Sequence, residues 1–140
     1  FVENGKINWG KNTLSQVDGH GTWYYIENSQ INWHYTGLTQ YFGTWYYIQN
    51  GALNWSYNGL VHYHGTWFYV HNGQIDWNYS NLVLYNGTWY YVENGKIDWN
   101  KITLSQVDGH GTWYYVENGQ INWSYNGYYN NHTIHNGVVC

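Results

Sequence analysis

The 140-residue sequence has no arginine, no proline and no methionine, and its single cysteine, Cys140, is the last residue. Each gap excludes something. Lys plus Arg come to 4 against 8 acids, for a formal charge of -4. That is the wrong sign and too few cations for a nucleic-acid binder, which must neutralise many phosphates. One terminal thiol offers no internal disulfide and no cysteine metal cluster. Long apolar runs are missing, so nothing reads as a signal peptide or as a segment inserted in a membrane. Without proline-rich or charged stretches there is no ordinary interdomain linker. Charged residues make up only 9%, against roughly 25% in an average domain. What fills the space is aromatic: 23% of the chain, with 11 Trp and 18 Tyr. Low charge with many rings is not the composition of a disordered chain.

The rings recur in order. Gly-Thr-Trp begins at Gly21, Gly43, Gly65, Gly87 and Gly111, in steps of 22, 22, 22 and 24 residues. Residues 1–33 match residues 91–123 with only 6 differences, which points to duplication of a four-repeat block. The two longer connectors end in the same LSQVDGH, at 14–20 and 104–110, and are expected to bulge locally or to alter the step between repeats. The chain opens on FVENGKINW, inside a truncated repeat ending at Trp9, and so reads as a piece of a longer protein. Self-similarity at such a period marks a stacked repeat architecture.

One repeat explains the local fold. In WYYVENGQINW, residues 113–123, two runs of β-formers flank Asn118-Gly119. Asn-Gly is the strongest short hairpin signal, because a type I′ turn needs φ > 0 at both central residues. Glu117 should then face Gln120, and Val116 should face Ile121. Alternation places Tyr114, Val116, Ile121 and Trp123 on one face, expected to be the core, and Trp113, Tyr115, Glu117, Gln120 and Asn122 on the other. Asn28-Ser29 takes the Asn-Gly place once and should be slightly strained. Asn58-Gly59 reads as a second turn, in the connector. A lone hairpin is marginal in water. The expectation is therefore an all-β solenoid of stacked hairpins, one per 22–24 residues, over 1–127, with 128–140 as an atypical cap or tail.

The pattern resembles the cell-wall-binding repeats of bacterial surface proteins, a superfamily that includes choline-binding repeats, glucan-binding repeats and the repetitive oligopeptides of clostridial toxins. The resemblance rests on Gly37-Leu38, Gly43-Thr44-Trp45-Tyr46-Tyr47 and Gly51-Ala52-Leu53, and on the next copy, Gly59-Leu60, Gly65-Thr66-Trp67-Phe68-Tyr69 and Gly73-Gln74-Ile75. It covers about residues 1–127 and implies a hairpin solenoid with shallow aromatic ligand sites between hairpins. It also implies a secreted or cell-surface protein. The family Trp after the first Gly is here Leu38, Leu60 or Leu82, and a Trp closes the second strand instead, at Trp33, Trp55, Trp77, Trp99 and Trp123. A choline site made from the usual Trp pair therefore does not transfer.

The mixed hairpin face carries the candidate ligand residues: Trp23, Tyr25, Trp45, Tyr47, Trp67, Tyr69, Trp89, Tyr91, Trp113 and Tyr115. A sugar ring can lay its C–H face on such rings, and a quaternary ammonium can be held by cation–π attraction. Two readings stay open for these rings, ligand surface and inter-hairpin packing. The implied partner is a cell-wall glycan, a teichoic acid or choline-like group, or a host glycan. The functions to weigh are a wall-binding module, an adhesin or toxin-like segment on host glycans or proteins, and a passive stalk. Every acid recurs with the repeat, whereas an active site is singular, so no enzyme is expected. His62-x-His64 has no Cys or carboxylate cluster to complete a metal set, and no cofactor is expected.

Overall fold

The computed structural model describes residues 2–3, 6–7, 13–16, 21–107 and 111–140, and among them it contains strands and turns but no helix. Of the truncated first repeat, only the pairing of Val2–Glu3 with Lys6–Ile7 is described. The expected bulge of the LSQVDGH connectors, with His20 and His110, lies outside the described residues.

Hairpin turns follow the chemistry of their two central residues. Val116 faces Ile121 and Glu117 faces Gln120, with Asn118 and Gly119 at φ 55° and 74°. Asn50-Gly51, Asn72-Gly73 and Asn94-Gly95 turn the same way, and Asn28-Ser29 adopts the same geometry at 53° and 66°. The connector contributes a second hairpin. Gly37–Tyr41 pairs with Thr44–Gln49, which pairs with Ala52–Leu53, so a repeat is a three-stranded meander. The extra turn is Phe42-Gly43, again with both φ values positive, at 49° and 82°. His64-Gly65 and Asn86-Gly87 are its counterparts. This places His64 in a turn, with its ring against Tyr63, so it does not share a strand face with His62.

The expected turn at Asn58-Gly59 is not there. The chain reverses one step earlier, at Asn54–Tyr57, where the Asn54 side-chain oxygen accepts from the Ser56 N–H at 2.9 Å. An Asx turn needs only that acceptor, so Asn32, Asp76, Asp98 and Asn122 perform it interchangeably. Gly59 instead begins the next strand, and Asn58 accepts a bond from the N–H of Asn72 at 2.8 Å.

Repeats join through their second turns. Gly51 donates its N–H to the Tyr35 carbonyl at 2.9 Å, and its own carbonyl accepts from Tyr25 at 2.8 Å. A Cβ there would lie 2.6 Å from the Asn32 carbonyl oxygen, so the turn sits directly on the preceding repeat's backbone. Ladder pairs continue the contact, Tyr24 with Ala52 and Tyr46 with Gln74.

The chain divides into two compact halves: Phe1–Gly65 with Val70–Ile75, and Thr66–Tyr69 with Asp76–Cys140. In the first, Leu14, Ile48 and Leu53 form a core against Trp23, Tyr25, Tyr35, Tyr41 and Tyr46. In the second, Leu82, Val116 and Ile121 pack against Trp89, Tyr91, Val107 and Tyr114. The family-Trp positions belong to this interior: Leu38 is fully buried and Leu82 nearly so. The expected class, an all-β repeat of hairpins, is what the structure contains.

The face assignment needs correcting. Val116 and Ile121 are core, but Trp123 is half exposed, while Tyr115 on the supposed mixed face is buried. The second strand is only Gln120–Ile121, so Trp123 already lies in the Asx turn and alternation no longer governs it. The long strand is covered on both sides, which alternation within one hairpin cannot show.

The chain ends in a shortened repeat. Gly127–Tyr129 pairs with His132–His135 around Asn130-Asn131, and Val138–Val139 returns beside Tyr114. Its first two strands have 3 and 4 residues, against 5 and 6 in the second repeat.

Candidate aromatic binding site

Three consecutive aromatic positions of each Gly-Thr-Trp strand meet three different partners. The last ring lies flat on a tyrosine of the Asx turn: Tyr25 on Tyr35, Tyr47 on Tyr57, Tyr69 on Tyr79 and Tyr115 on Tyr125, with centroids 4.0–4.2 Å apart. The turn tyrosines also donate their hydroxyls to a carbonyl three residues on, Tyr57 to Leu60 at 2.8 Å and Tyr79 to Leu82 at 2.9 Å. Burial raises the phenols of Tyr25, Tyr69 and Tyr115, with Glu27, Asp76 and Glu117 adding to it in turn, and pushes Tyr35 up to about 12. These rings stay neutral at physiological pH.

The middle ring meets the Trp that ends the repeat, edge to face: Tyr24 with Trp33, Tyr46 with Trp55, Phe68 with Trp77, Tyr90 with Trp99 and Tyr114 with Trp123, at 5.5–5.8 Å. Those five Trp remain exposed.

The Trp itself forms a corner with a tyrosine 18 residues later. Trp23 meets Tyr41 at 5.5 Å and 54°, Trp45 meets Tyr63 at 5.6 Å and 60°, and Trp67 meets Tyr85 at 5.4 Å and 61°. Each member is half-buried, so the rings are held by packing yet reach solvent. The two rings of each pair meet at a tilt or edge to face, and each keeps part of its aromatic surface open to solvent, where a methylated cation is attracted more than a hydrogen-bonding anion.

The ten residues expected at ligand sites therefore fall into distinct places. Trp23, Trp45 and Trp67 are in corners. Trp89 and Val107 both pack against the cluster of Leu82, Val116 and Ile121. Trp113 is exposed beside the shortened C-terminal repeat. Tyr25, Tyr47, Tyr69 and Tyr115 are in the flat stacks, Tyr47 and Tyr115 buried. Tyr91 has no tyrosine on it; the Lys101 ammonium lies 5.2 Å from its ring centre and bonds Glu93 at 2.9 Å. Sequence reasoning missed Tyr41, Tyr63 and Tyr85. The available signal was their fixed place just before the Phe-Gly, His-Gly and Asn-Gly turns. Among the described residues no three His, Cys, Asp or Glu gather as a metal cluster would require.

The choline-binding repeat pattern matches residues 12–32, 35–54, 56–76, 78–98 and 107–122. Among solved structures, the chain is similar to CbpF in complex with ipratropium, with 24% identity over 93% of this chain and 39% of that one, at a TM-score of 0.38. It thus spans well under half of the CbpF chain. It is also similar to the choline binding domain of Spr1274 in Streptococcus pneumoniae, with 30% identity over 62% of this chain and 94% of that one, at a TM-score of 0.35. No curated protein matches it. Five matched copies take in most of the sequence, and the chain belongs to the choline-binding repeat family, as an all-β module.

Proposed function

We propose that this module attaches a larger protein to an envelope polymer by holding choline-type ammonium groups in the corners Trp23–Tyr41, Trp45–Tyr63 and Trp67–Tyr85. The observation that carries the reading is the recurrence of one corner, at nearly one distance and tilt, in three repeats. Cation–π attraction gives roughly 0.5–2 kcal/mol per ring, so a single corner binds weakly. Linked corners on a polymer that repeats its cation gain about 10²–10⁴ in avidity. A choline-bearing teichoic acid suits that arithmetic better than a free metabolite. The flat-stacked tyrosines hold the hairpins, and the corner rings meet the ligand.

Retention on purified cell walls, with free choline as competitor, tests this. Retention that choline releases, together with a saturable change in Trp fluorescence on adding choline, is the expected result. Retention on host glycans alone would move the target to another surface. No retention on either would leave a passive stalk.

A further inference from the structure

The shortened C-terminal repeat opens a cavity of about 410 Å³ at Trp113. After the Trp45 strand, the strand Gly59–Tyr63 runs long enough to bring Tyr63 onto Trp45. In the last, the corresponding strand stops at Tyr129, so among the described residues no ring pairs with Trp113 as Tyr63 does with Trp45, and Trp113 is 44% exposed. The volume falls within the range of roughly 300–1,000 Å³ typical of small-molecule sites.

Its walls are of two kinds. Trp113, Leu104 and Val139 are apolar, and Thr103, Asn130 and His132 bring polar groups to the same space. Tyr129 completes the lining and is fixed twice: its hydroxyl donates to the Ile102 carbonyl at 3.2 Å, and its ring meets Tyr115 edge-on at 5.3 Å. Among the described residues, no carboxylate, lysine or arginine lines the cavity. An ammonium would meet the Trp113 and Tyr129 rings but, among the described residues, no counter-charge. A phosphate or uronic acid would find no cation.

We propose that this cavity is a sugar subsite for a neutral pyranose. The ring's C–H face would lie on Trp113, and its hydroxyls would exchange hydrogen bonds with Asn130, His132 and Thr103. The inference does not depend on the ammonium reading of the corners. It adds a second recognition element, one that reads the saccharide part of a polymer.

The test is a titration of the whole chain with glucose, N-acetylglucosamine, cellobiose and chitobiose, followed by NMR of the indole N–H and imidazole signals. A saturable shift of the Trp113 and His132 signals with at least one of these sugars is expected. Trp113→Ala should weaken that binding by at least about tenfold. His132→Ala, on an exposed side chain, should weaken it without changing thermal stability, which guards against a misfolded Trp113 variant. Trp45→Ala should leave the sugar response intact while reducing the choline response. No saturable shift with any of the four sugars would overturn the proposal. So would sugar binding that survives both Trp113→Ala and His132→Ala, or that free choline displaces competitively.

Discussion

The repeat beginning at Gly43 and the repeat beginning at Gly87 share the six-residue Gly-Thr-Trp strand, the Asn-Gly turn and the Asx turn but present different surfaces. In the first, Trp45 meets Tyr63 and Tyr47 lies flat on Tyr57. In the second, Val107 takes the place 18 residues after Trp89, where the first has Tyr63, and Lys101 stands over Tyr91. The replacements at the stack form a set. Asn54 donates its side-chain N–H to Gln49 at 2.8 Å, whereas Asp98 has no proton to give Glu93. Lys101 supplies the donor, bonding Glu93 at 2.9 Å, and that bond, with the nearby charges, raises its ammonium above the ordinary lysine range. The repeat tolerates a cation in place of a ring because the backbone ladder and the Gly turn hold the hairpin. The later repeat pairs its strands with Val107 where a corner has tyrosine, so the hairpin forms without that pair.

The largest test of this separation is Trp89→Ala against Trp45→Ala. Trp89 packs on the core, so its loss should cost about 3 kcal/mol in denaturant unfolding. Trp45→Ala should instead register chiefly as a weaker choline response in a chain that still folds. Equal stability losses with unchanged choline binding would erase the distinction between core and corner.

The backbone side of the comparison is sharpened at glycine. Gly51→Ala places a Cβ 2.6 Å from the Asn32 carbonyl oxygen at φ 82°, and about 2–3 kcal/mol of stability should be lost. Gly43→Ala has the same φ with nothing within 4 Å, so only the left-handed strain remains, about 1 kcal/mol. A thermal melt of the pair reads the difference directly.

Building the missing corner comes next. Val107→Tyr should raise the number of choline molecules bound per chain by one, at roughly 0.5–2 kcal/mol per added ring, as read by calorimetric stoichiometry. An unchanged stoichiometry would show that the Trp–Tyr pair is not enough.

Lys101→Gln should cost at most about 0.5–1 kcal/mol, since the pair is solvent-accessible, and less in high salt. The sign follows from the raised ammonium. Its stabilisation is complete at neutral pH and is lost as pH climbs above the ordinary lysine value of 10.5 through the folded one, so wild type and variant should converge at alkaline pH. Tyr35 acts in the same direction: the unfolded phenol ionises from pH 10 while the folded one waits until about 12.

The smallest effect is a gain. Phe42 holds φ 49° in a turn where Asn86 serves in a later repeat, and it is 90% exposed. Phe42→Asn should stabilise the fold by about 0.5–1 kcal/mol in the same melt.

Much of this molecule is legible from local chemistry. Asn118-Gly119 sets the register of its hairpin, and Ser29 takes a positive φ because its place in the repeat demands one. The Phe42-Gly43 and His64-Gly65 turns were hidden because neither Phe nor His signals a turn. Asn58-Gly59 misled because Asn54 had already reversed the chain through its side chain. The binding residues divide the same way. Trp45 could be picked from the repeat, but Tyr63 joins it only when the next repeat folds back beside it.

The sequence by itself determined the Asn-Gly hairpin, the repeat and the family, because each depends on side chains close together along the chain. Only the tertiary structure decided which ring faces which. It buried Tyr115 under Tyr125, left Trp123 at the surface, gave Tyr91 a lysine and left a cavity at Trp113. Those outcomes turn on how one repeat lies against the next, and two-residue alternation within a single hairpin carries no information about that contact.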